Sequence, residues 1–342
     1  MLNSPVKRII FMLLVFLVVL CAAVAWFTVM PLRSYSGAFK PMTSDETRIH
    51  DDLSHYVTQL AETIGDRSVY NYPGLKTAAD YLETTLKSDG YDVHSYEYIV
   101  EDKADEKEKE KSVRNIEVQI PGAKNPSANF IVGAHYDSFA GTVGADDNAS
   151  GVAALLELAQ MLKDSKPDQT IRLVFFVNEE PPYFQTEKMG SLVYAKQLRG
   201  QNVNVTGMIS LETIGYYSDD EGSQRYPAGF GILYPYVGNF IGFVGNTGSR
   251  SLVRRAVKAF RQSAEFPSEG VAAPSGLTGV GWSDQWSFWQ QGYKAIMVTD
   301  TAPFRYPYYH QGGDTPEKVN YNRLARVVQG LQKTILKLAE NN

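Results

Sequence analysis

The sequence contains one cysteine in 342 residues, Cys21, and it lies in an apolar run near the N-terminus. A single thiol excludes a disulfide within the chain, and it excludes a metal site built from several thiolates. The near absence of cysteine fits a bacterial envelope protein, because an oxidising compartment permits disulfides without requiring them. Any metal site in this chain would therefore use nitrogen and oxygen ligands.

Excess positive charge and phosphate-binding signatures are also missing. Lys and Arg number 33 against 38 Asp and Glu, which gives a formal net charge of −5. This balance gives no sign of nucleic-acid binding. The sequence has no apparent internal repeat and no glycine-rich phosphate loop. With 44% hydrophobic residues, it can form one large domain or two small ones.

An uncharged, strongly apolar run covers residues 9–30, and Lys7 and Arg8 precede it. As a helix it would span about 33 Å, enough for a bilayer core of about 30 Å. We predict an uncleaved transmembrane anchor at residues 9–30, with residues 1–8 in the cytoplasm and the large domain on the periplasmic or extracellular face. A cleaved signal peptide, which usually has a shorter apolar core, and a buried core helix are the alternatives.

Apolar segments separated by helical sequence indicate the fold class. Residues 129–134, 170–177 and 205–211 are predicted to be buried strands. This alternation predicts an α/β fold with a mixed, mostly parallel central sheet and helices on both faces. Residues 31–44 are predicted to be a linker before a domain over residues 45–342. Other predicted helices cover residues 51–64, 75–86, 252–260 and 319–338, strands lie within residues 91–120 and 295–298, and loops cover residues 101–111 and 267–281.

Histidine and acidic side chains follow the ends of the predicted strands. Ligands of open α/β sheets bind at the carboxyl edge of the strands, so these side chains should meet there. Imidazole and carboxylate ligands suit zinc or a similar divalent ion, and a bridging carboxylate can hold two ions roughly 3.5–4 Å apart. One of two consecutive acids can serve as a base while the other binds metal. The residues concerned are His135, Asp137, Asp146, Asp147, Glu179, Glu180, Glu212, His310 and Asp314.

Five motifs contain these residues: G-A-H-Y-D-S at residues 133–138, G-A-D-D-N-A-S-G at 144–151, N-E-E at 178–180, L-E-T-I-G-Y at 211–216 and Y-H-x-x-x-D-T at 309–315. In this order they resemble the di-zinc aminopeptidase family of zinc exopeptidases, whose relatives include glutamate carboxypeptidase and glutaminyl cyclase. The similarity spans roughly residues 53–338. The run G-N-F-I-G-F-V-G-N is similar to one subgroup of bacterial aminopeptidases.

The resemblance, carried over residue by residue, implies two divalent ions, zinc by the family's usage. His135 and Glu212 would bind one ion, and Glu180 and His310 would bind the other. Asp147 would bridge them, because the family's bridging acid stands four residues before the glycine of S-G. Glu212 stands where many family members have Asp, so its role as a ligand departs from the common pattern.

The resemblance also assigns residues that do not bind the ions. Glu179 would be the general base, and a cis peptide would follow Asp147. Asp137 and Asp314 would be acids that orient the two histidine ligands. After Glu180 the chain carries a longer, aromatic segment over residues 181–188 than the family usually has, and this segment is expected to line the substrate cleft.

The activity implied by the resemblance is a metal-dependent aminopeptidase, which hydrolyses N-terminal peptide bonds with a water activated by two ions and by Glu179. Its partners would be peptides with a free N-terminus and, through residues 9–30, a membrane. Two alternatives stay open: glutaminyl-cyclase-like acyl transfer at a single zinc, and a non-catalytic receptor or scaffold domain. The presence of both His135 and Glu212 favours two ions, and the full set of ligands favours an enzyme.

Overall fold

The computed structural model describes residues 5–101, 110–227 and 230–340. Within these residues eight strands form a single sheet. The strands are β1 His94–Glu101, β2 Glu110–Ile120, β3 Asn125–His135, β4 Gln169–Phe176, β5 Asn204–Glu212, β6 Ile241–Asn246, β7 Ser268–Ala273 and β8 Ala295–Thr299. The α-helices are α1 Pro5–Thr28, α2 Ser44–Thr58, α3 Tyr72–Ser88, α4 Gly151–Leu162, α5 Gly190–Gly200, α6 Arg250–Ser263, α7 Gln285–Gln290 and α8 Tyr321–Leu338.

The spatial order of the sheet is β1-β2-β4-β3-β5-β8-β6-β7. Its four central strands, β4, β3, β5 and β8, run parallel to one another. Antiparallel pairs join β2 to β4 and β1 to β2 on one side, and β6 to β8 on the other. The edge strand β7 is parallel to β6. The predicted mixed, mostly parallel sheet is confirmed.

Helices cover both faces of the central strands. Phe130 and Val132 of β3 belong to the larger apolar core, which also contains the buried faces of α2, α3, α4, α6 and α8. Ile131, between them in sequence, points to the opposite face and a smaller core that includes Tyr194 of α5 and Phe288 of α7. Since side chains alternate along a strand and both faces are buried, the central strands are almost continuously apolar.

Two strands are missing from the sequence-based assignment, namely β6 and β7. The predicted loop over residues 267–281 is wrong in its first half, because β7 lies within it. Glycines lower the strand signal there, but the packing requires them. A Cβ atom at Gly245 would lie 2.6 Å from Val253 of α6, and one at Gly270 would lie 2.8 Å from Val257. Glycine therefore allows α6 to pack closely against these strands.

The N-terminal helix α1 has no buried residue. Its length and composition are those of a helix that could cross a membrane. A signal sequence near the N-terminus has the same length and composition. The segment that follows lies on the domain, where Arg261 Nη1 donates to the carbonyl oxygens of Pro31 (3.1 Å) and Leu32 (2.8 Å). Ser34 Oγ accepts from the backbone N–H of Ser268 in β7 at 2.8 Å. The predicted linker over residues 31–44 thus makes specific contacts with α6 and β7.

Most of the remaining predicted elements lie where they were expected. The predicted helix over residues 51–64 forms the second half of α2 and a π-helical turn, Gln59–Ile64. The predicted helices over residues 75–86, 252–260 and 319–338 correspond to α3, α6 and α8. The predicted hairpin loop over residues 101–111 falls largely on residues 102–109, which lie outside the described part of the chain.

Candidate metal centre

The candidate site lies at the carboxyl ends of three adjacent parallel strands. His135 is the last residue of β3 and Glu212 is the last residue of β5. Glu179 and Glu180 follow β4, which pairs with β3. Asp147 lies in the turn Ala145–Ser150 that leads into α4. Because the carboxyl ends of parallel strands meet at one edge, residues far apart in sequence converge there.

The structure places the five predicted ligands in two groups that share one residue. In each group every residue offers a ligand atom within 4.8 Å of the others. Asp147 is the shared residue, because its two carboxylate oxygens face different histidines. Its Oδ1 lies 3.4 Å from His135 Nε2, and its Oδ2 lies 3.1 Å from His310 Nε2. Glu212 Oε2 lies 3.2 Å from His135 Nε2, and Glu180 Oε1 lies 3.3 Å from His310 Nε2.

Several of these atoms are buried and accept or donate no hydrogen bond within the described part of the chain. They are His135 Nε2, His310 Nε2, Asp147 Oδ2 and Glu180 Oε1. A buried polar atom without a partner costs about 1–3 kcal/mol. Such atoms converging on one space are the donor set that a divalent cation would satisfy, and imidazole with carboxylate suits zinc. The residues present therefore fit a metal centre.

The charges at the site favour a cation. Five buried acids lie within 4 Å of the two histidine rings, namely Asp137, Asp147, Glu179, Glu180 and Glu212. Burial and the neighbouring Asp147 raise the pKa of Glu180 to about 7. Burial lowers the pKa of the His310 ring, but its contacts with Asp147 and Glu180 raise it further, to about 10. Burial opposes ionisation of Asp147, yet its contacts with His135 and His310 hold the pKa of its carboxyl below the usual range. The site therefore attracts positive charge, whether as protons or as metal ions.

Asp137 supports one side of the site. Its carbonyl oxygen lies 3.1 Å from His135 Nδ1, so this nitrogen is the donor and Nε2 points to Asp147 and Glu212. Its carboxylate accepts the backbone N–H groups of Glu179 at 3.1 Å and Glu180 at 3.0 Å. One residue thus fixes both the ring of His135 and the Glu179-Glu180 doublet.

Asp314 differs from the implied role of orienting His310. Its Oδ1 accepts from the Asp146 backbone N–H at 2.8 Å and from the Tyr306 hydroxyl at 2.7 Å, and its Oδ2 accepts from the Asp147 backbone N–H at 3.1 Å. The contacts described for Asp314 do not include His310. The carboxylate therefore positions the backbone of Asp147.

Aromatic stacking orients the His310 ring. The ring lies against Phe139 and Tyr309, with centroid distances of 4.1 Å and 3.8 Å. The backbone of His310 has a φ of 57°, in the left-handed region that few residues other than glycine adopt. Stacked rings on both faces can orient an imidazole without a hydrogen bond from an acid. The carboxylate of Asp314 can therefore accept from the backbone of Asp147 instead.

The two adjacent acids Asp146 and Asp147 have different surroundings. Asp146 Oδ1 accepts from the Gly215 backbone N–H at 2.8 Å. Burial and the neighbouring Asp300 carboxylate raise the pKa of Asp146 well above its ordinary value. Asp146 is therefore turned away from the histidines and favours its protonated form. These contacts agree with the choice of Asp147 as the shared acid.

The turn between Asp147 and α4 also matches what the sequence indicated. The Asp147–Asn148 peptide bond is cis, as the family resemblance implied. The side-chain oxygen of Asn148 accepts from the backbone N–H of Gly151, the first residue of α4, at 3.2 Å. The same oxygen accepts from the Thr213 N–H at 3.1 Å. Asn148 thus caps the helix and joins it to the end of β5.

Sequence reasoning missed Arg67. Its guanidinium is fully buried, and it donates to the carbonyl oxygens of Tyr136 (2.9 Å), Val143 (2.7 Å) and Gly144 (2.9 Å). These carbonyls lie at both ends of the loop that joins His135 to Asp147. Arg67 therefore holds the spacing of two candidate ligands. A single arginine before a helix forms no sequence pattern that would predict its hydrogen bonds to this loop.

Ser283 and Asp284, which precede α7, adjoin the site. Ser283 Oγ donates to Glu212 Oε2 at 2.7 Å, which fixes the longer side chain that replaces the family's usual Asp. Asp284 is fully buried. Burial and the nearby Glu212 raise its pKa to about 7, although the His135 ring opposes this shift. Ser283 therefore supports a candidate ligand on the His135 side of the centre, and Asp284 adds a buried acid near it.

Comparison with known proteins establishes the family. A sequence model described as Peptidase family M28 matches residues 115–335. The chain belongs to peptidase family M28. The matched span contains all of the residues that form the two groups at the site. The M28 chain is 37% identical to the protein YfbL of Escherichia coli (strain K12) over 290 residues. This alignment covers 82% of the M28 chain and 86% of YfbL.

A second relative is similar in sequence, and two solved structures are similar in fold. A probable zinc metalloprotease of Pyrenophora teres f. teres (strain 0-1) is 26% identical over 263 residues, covering 67% of this chain and 52% of that protein. The M28 fold superposes on BSAP, a zinc aminopeptidase from Bacillus subtilis, with a TM-score of 0.68 at 15% identity, covering 86% and 95% of the two chains. For Fimbriiglobus ruber glutaminyl cyclase the TM-score is 0.63 at 19% identity, covering 89% and 98%.

Proposed function

We propose that this M28 peptidase is an aminopeptidase that uses two divalent ions. The observation that carries the proposal is the shared position of Asp147 between two groups of candidate ligands. His135, Asp147 and Glu212 would hold one ion, and Asp147, Glu180 and His310 would hold the other. When bound, the ions would act as Lewis acids, which lower the pKa of a water to about 7 and polarise a carbonyl group.

Glu179 is the residue that we propose moves the proton. Its side chain belongs to neither group of ligands, yet its Oε2 lies 3.9 Å from His135 Nε2. Burial and neighbouring acids raise the pKa of its carboxyl well above the ordinary value, although His135 opposes this shift. A carboxylate with a raised pKa can take the proton of the attacking water and return it to the leaving amine. The backbone N–H of Glu179 donates to Asp137, which fixes the backbone from which the carboxylate projects.

The runner-up is a glutaminyl-cyclase-like acyl transfer at a single zinc, since glutaminyl cyclases are among the similar solved structures. Asp147, Glu180 and His310 would suffice for that reaction. His135 and Glu212 form a second group of candidate ligands with Asp147, and this group favours two ions and hydrolysis. A peptide with an N-terminal glutamine separates the two reactions. Cyclisation releases ammonia and leaves a pyroglutamyl peptide, whereas the peptidase releases free glutamine.

A cavity beside the centre supports a preference for apolar N-terminal residues. It has a volume of about 110 Å³ and borders Glu212 and Tyr309. Its floor is the face of the sheet that α6 leaves open, where Val244 of β6, Val271 of β7 and Met297 of β8 lie. An apolar cavity of about 150 Å³ holds benzene, so this one suits a Leu or Met side chain. Aromatic and apolar side chains form the rest of the wall: Tyr226, Phe230, Tyr234, Leu277, Trp282 and Phe304.

Two acids line the cavity: the candidate ligand Glu212 and Glu269, which has its own partner. Arg261 Nη2 lies 3.7 Å from Glu269 Oε2. Burial raises the pKa of Glu269, while Arg261 lowers it. The neighbouring cation reduces the attraction of Glu269 for a basic substrate side chain. We therefore expect leucine and methionine to be preferred over lysine at the substrate N-terminus.

Filling the cavity should change this preference. Val244→Phe is expected to lower kcat/KM for leucyl anilide by about 10–200-fold, because the larger ring occupies the space of the substrate side chain. Alanyl anilide needs little of that space, so its kcat/KM should change less than threefold, and metal content should stay constant. Kinetic assays of the purified full-length chain with a panel of aminoacyl anilides test this. An equal loss for both substrates, or a preference of the unchanged enzyme for lysyl anilide, would contradict the assignment of the cavity.

The requirement for a free N-terminus tests the exopeptidase proposal directly. The acids at the centre, Glu179 among them, make the region favourable for a protonated α-amine. Acetylation removes that charge and adds bulk. We expect that the N-acetylated form of a leucine-initiated peptide is not cleaved, while the free form is shortened one residue at a time from its N-terminus, as mass spectrometry of the products would show. Internal fragments from the blocked peptide, or shortening from the C-terminus, would reassign the activity.

We also propose that α1 anchors the protein in a membrane with the catalytic domain outside the cytoplasm. Lys7 and Arg8 at the start of α1 support this orientation, because basic residues favour the cytoplasmic side. The helix has 24 residues, about 36 Å in length, which suffices for a bilayer core of about 30 Å.

A further inference from the structure

Residues 230–236, which we call the apolar loop, expose an unusual amount of apolar surface. Ile232 is 87% exposed, Tyr236 56% and Leu233 46%. Single exposed apolar side chains are common on soluble proteins, but a group of them within one short loop marks a contact surface. The other apolar residues of the loop, Phe230 and Tyr234, line the cavity beside the metal centre.

The apolar loop lies beside the point where α1 reaches the domain. The Tyr234 hydroxyl donates to the carbonyl oxygen of Gly270 in β7 at 2.9 Å. Met30, two residues after the end of α1, packs against the same glycine, since a Cβ atom there would lie 2.9 Å from Met30 Cγ. The strand β7 is the edge of the sheet. One residue of this edge strand thus touches both the apolar loop and the segment leaving α1.

Arginines on α6 attach the end of α1 firmly to the domain. Arg250 Nε donates to the carbonyl oxygen of Trp26 at 2.5 Å, and its guanidinium lies 3.7 Å from the centre of the Trp26 ring. Arg254 donates to the carbonyl oxygen of Val29. These bonds satisfy carbonyls that a helix leaves unpaired at its C-terminus. They fix the direction of α1 relative to the sheet. They therefore also fix the position of the apolar loop relative to the surface of a membrane that α1 would cross.

The side chains around this junction suit the interfacial region of a bilayer. Trp26, at the end of α1, is 58% exposed, and aromatic residues concentrate where a membrane helix meets the headgroups. Arg33, in the segment after α1, is exposed, as is Lys258 on α6, the helix whose arginines contact that segment. Such cations attract anionic lipid headgroups. Apolar side chains beside them would then lie about 5–10 Å into the boundary between headgroups and acyl chains.

We propose that the apolar loop contacts the lipid bilayer in which α1 is anchored, with Ile232, Leu233 and Tyr236 inserted among anionic headgroups. This inference rests on the proposed role of α1 as an anchor. Because Phe230 and Tyr234 of the same loop line the cavity, the contact holds one wall of the candidate substrate site at the membrane surface. The expected substrates are therefore peptides whose N-termini lie close to the bilayer surface.

A fluorescent probe on residue 232 of the full-length protein tests the contact. Cys21→Ser removes the single cysteine, after which Ile232→Cys carries one environment-sensitive label. The labelled protein is reconstituted in vesicles of phosphatidylethanolamine and phosphatidylglycerol. The matched control is Ile99→Cys, because Ile99 is also exposed but lies on β1, at the opposite edge of the sheet. We expect lipids with a spin label near the headgroup to quench the label at residue 232 by at least about twofold and to leave the label at residue 99 unchanged.

A third label separates failure of this proposal from failure of the anchor. Leu14→Cys places the label within α1, where lipids spin-labelled deep in the acyl chains should quench it. If residue 14 is quenched and residue 232 behaves like residue 99, the anchor stands and the lipid contact is refuted. If residue 14 is also unquenched, the anchor and this inference are both refuted. Neither result depends on catalysis, so the proposed peptidase activity is tested separately by the anilide assays.

Discussion

Replacing Glu179 with glutamine is expected to lower kcat for leucyl anilide by about 10²–10⁴-fold while the metal content of the protein stays constant. Glutamine keeps the size of the side chain but cannot accept a proton. Glu179 lies within reach of the centre, 3.9 Å from His135 Nε2, and stands outside both groups of candidate ligands. Measurement of kcat together with metal content per chain tests the two parts of this expectation on one preparation.

Glu180→Gln is the matched control, since it makes the same chemical change in the adjacent residue. Glu180 Oε1 faces His310 Nε2 at 3.3 Å, so its loss should release metal as well as activity. The Glu179 and Glu180 variants should therefore differ in metal content although both lose turnover. If Glu179→Gln releases metal to the same extent as Glu180→Gln, Glu179 is a ligand and some other group transfers the proton.

The positions of the candidate ligands could be predicted because each follows a strong local pattern. His135, Glu180 and Glu212 stand at or just after apolar segments, and the ends of parallel strands must share an edge. The choice between Asp146 and Asp147 needed the family pattern as well. Spacing alone does not show which of two consecutive acids faces the histidines, and the contact of Asp146 with Gly215 became visible only in the structure.

Contacts between residues distant in sequence escaped prediction. Arg67 serves the site through backbone carbonyls, which any residue can offer, so the sequence near Tyr136 and Gly144 gives no sign of it. Two of the three partners of the Asp314 carboxylate are likewise backbone N–H groups, and the third is the Tyr306 hydroxyl. The strand β7 was missed because glycine lowers strand propensity, and the close packing of α6 that requires Gly270 is a tertiary effect.

Replacing Asp147 with asparagine should weaken metal binding at both halves of the centre. The two carboxylate oxygens of Asp147 face different histidines, His135 at 3.4 Å and His310 at 3.1 Å. Asparagine keeps the shape but removes the negative charge that two cations would share, and its nitrogen is a poor ligand. Even residues behind the ligands change metal affinity about 10–100-fold, so we expect the loss of a bridging ligand to exceed 100-fold for both ions. Activity should fall with the metal content.

Asp146→Asn provides a control with the same substitution one residue earlier. Burial and Asp300 raise the pKa of Asp146 well above its ordinary value, so its carboxyl favours the neutral form that asparagine resembles. This variant should bind metal nearly as tightly as the unchanged protein. Titration of the metal-free full-length chains with zinc, followed by calorimetry and by elemental analysis, gives the number of ions and their affinity, and circular dichroism shows whether each variant is folded. If folded Asp147→Asn still binds two ions at the original affinity, Asp147 is not the bridge. If it loses one ion only, Asp147 belongs to a single site, and the centre consists of two independent sites that share no ligand.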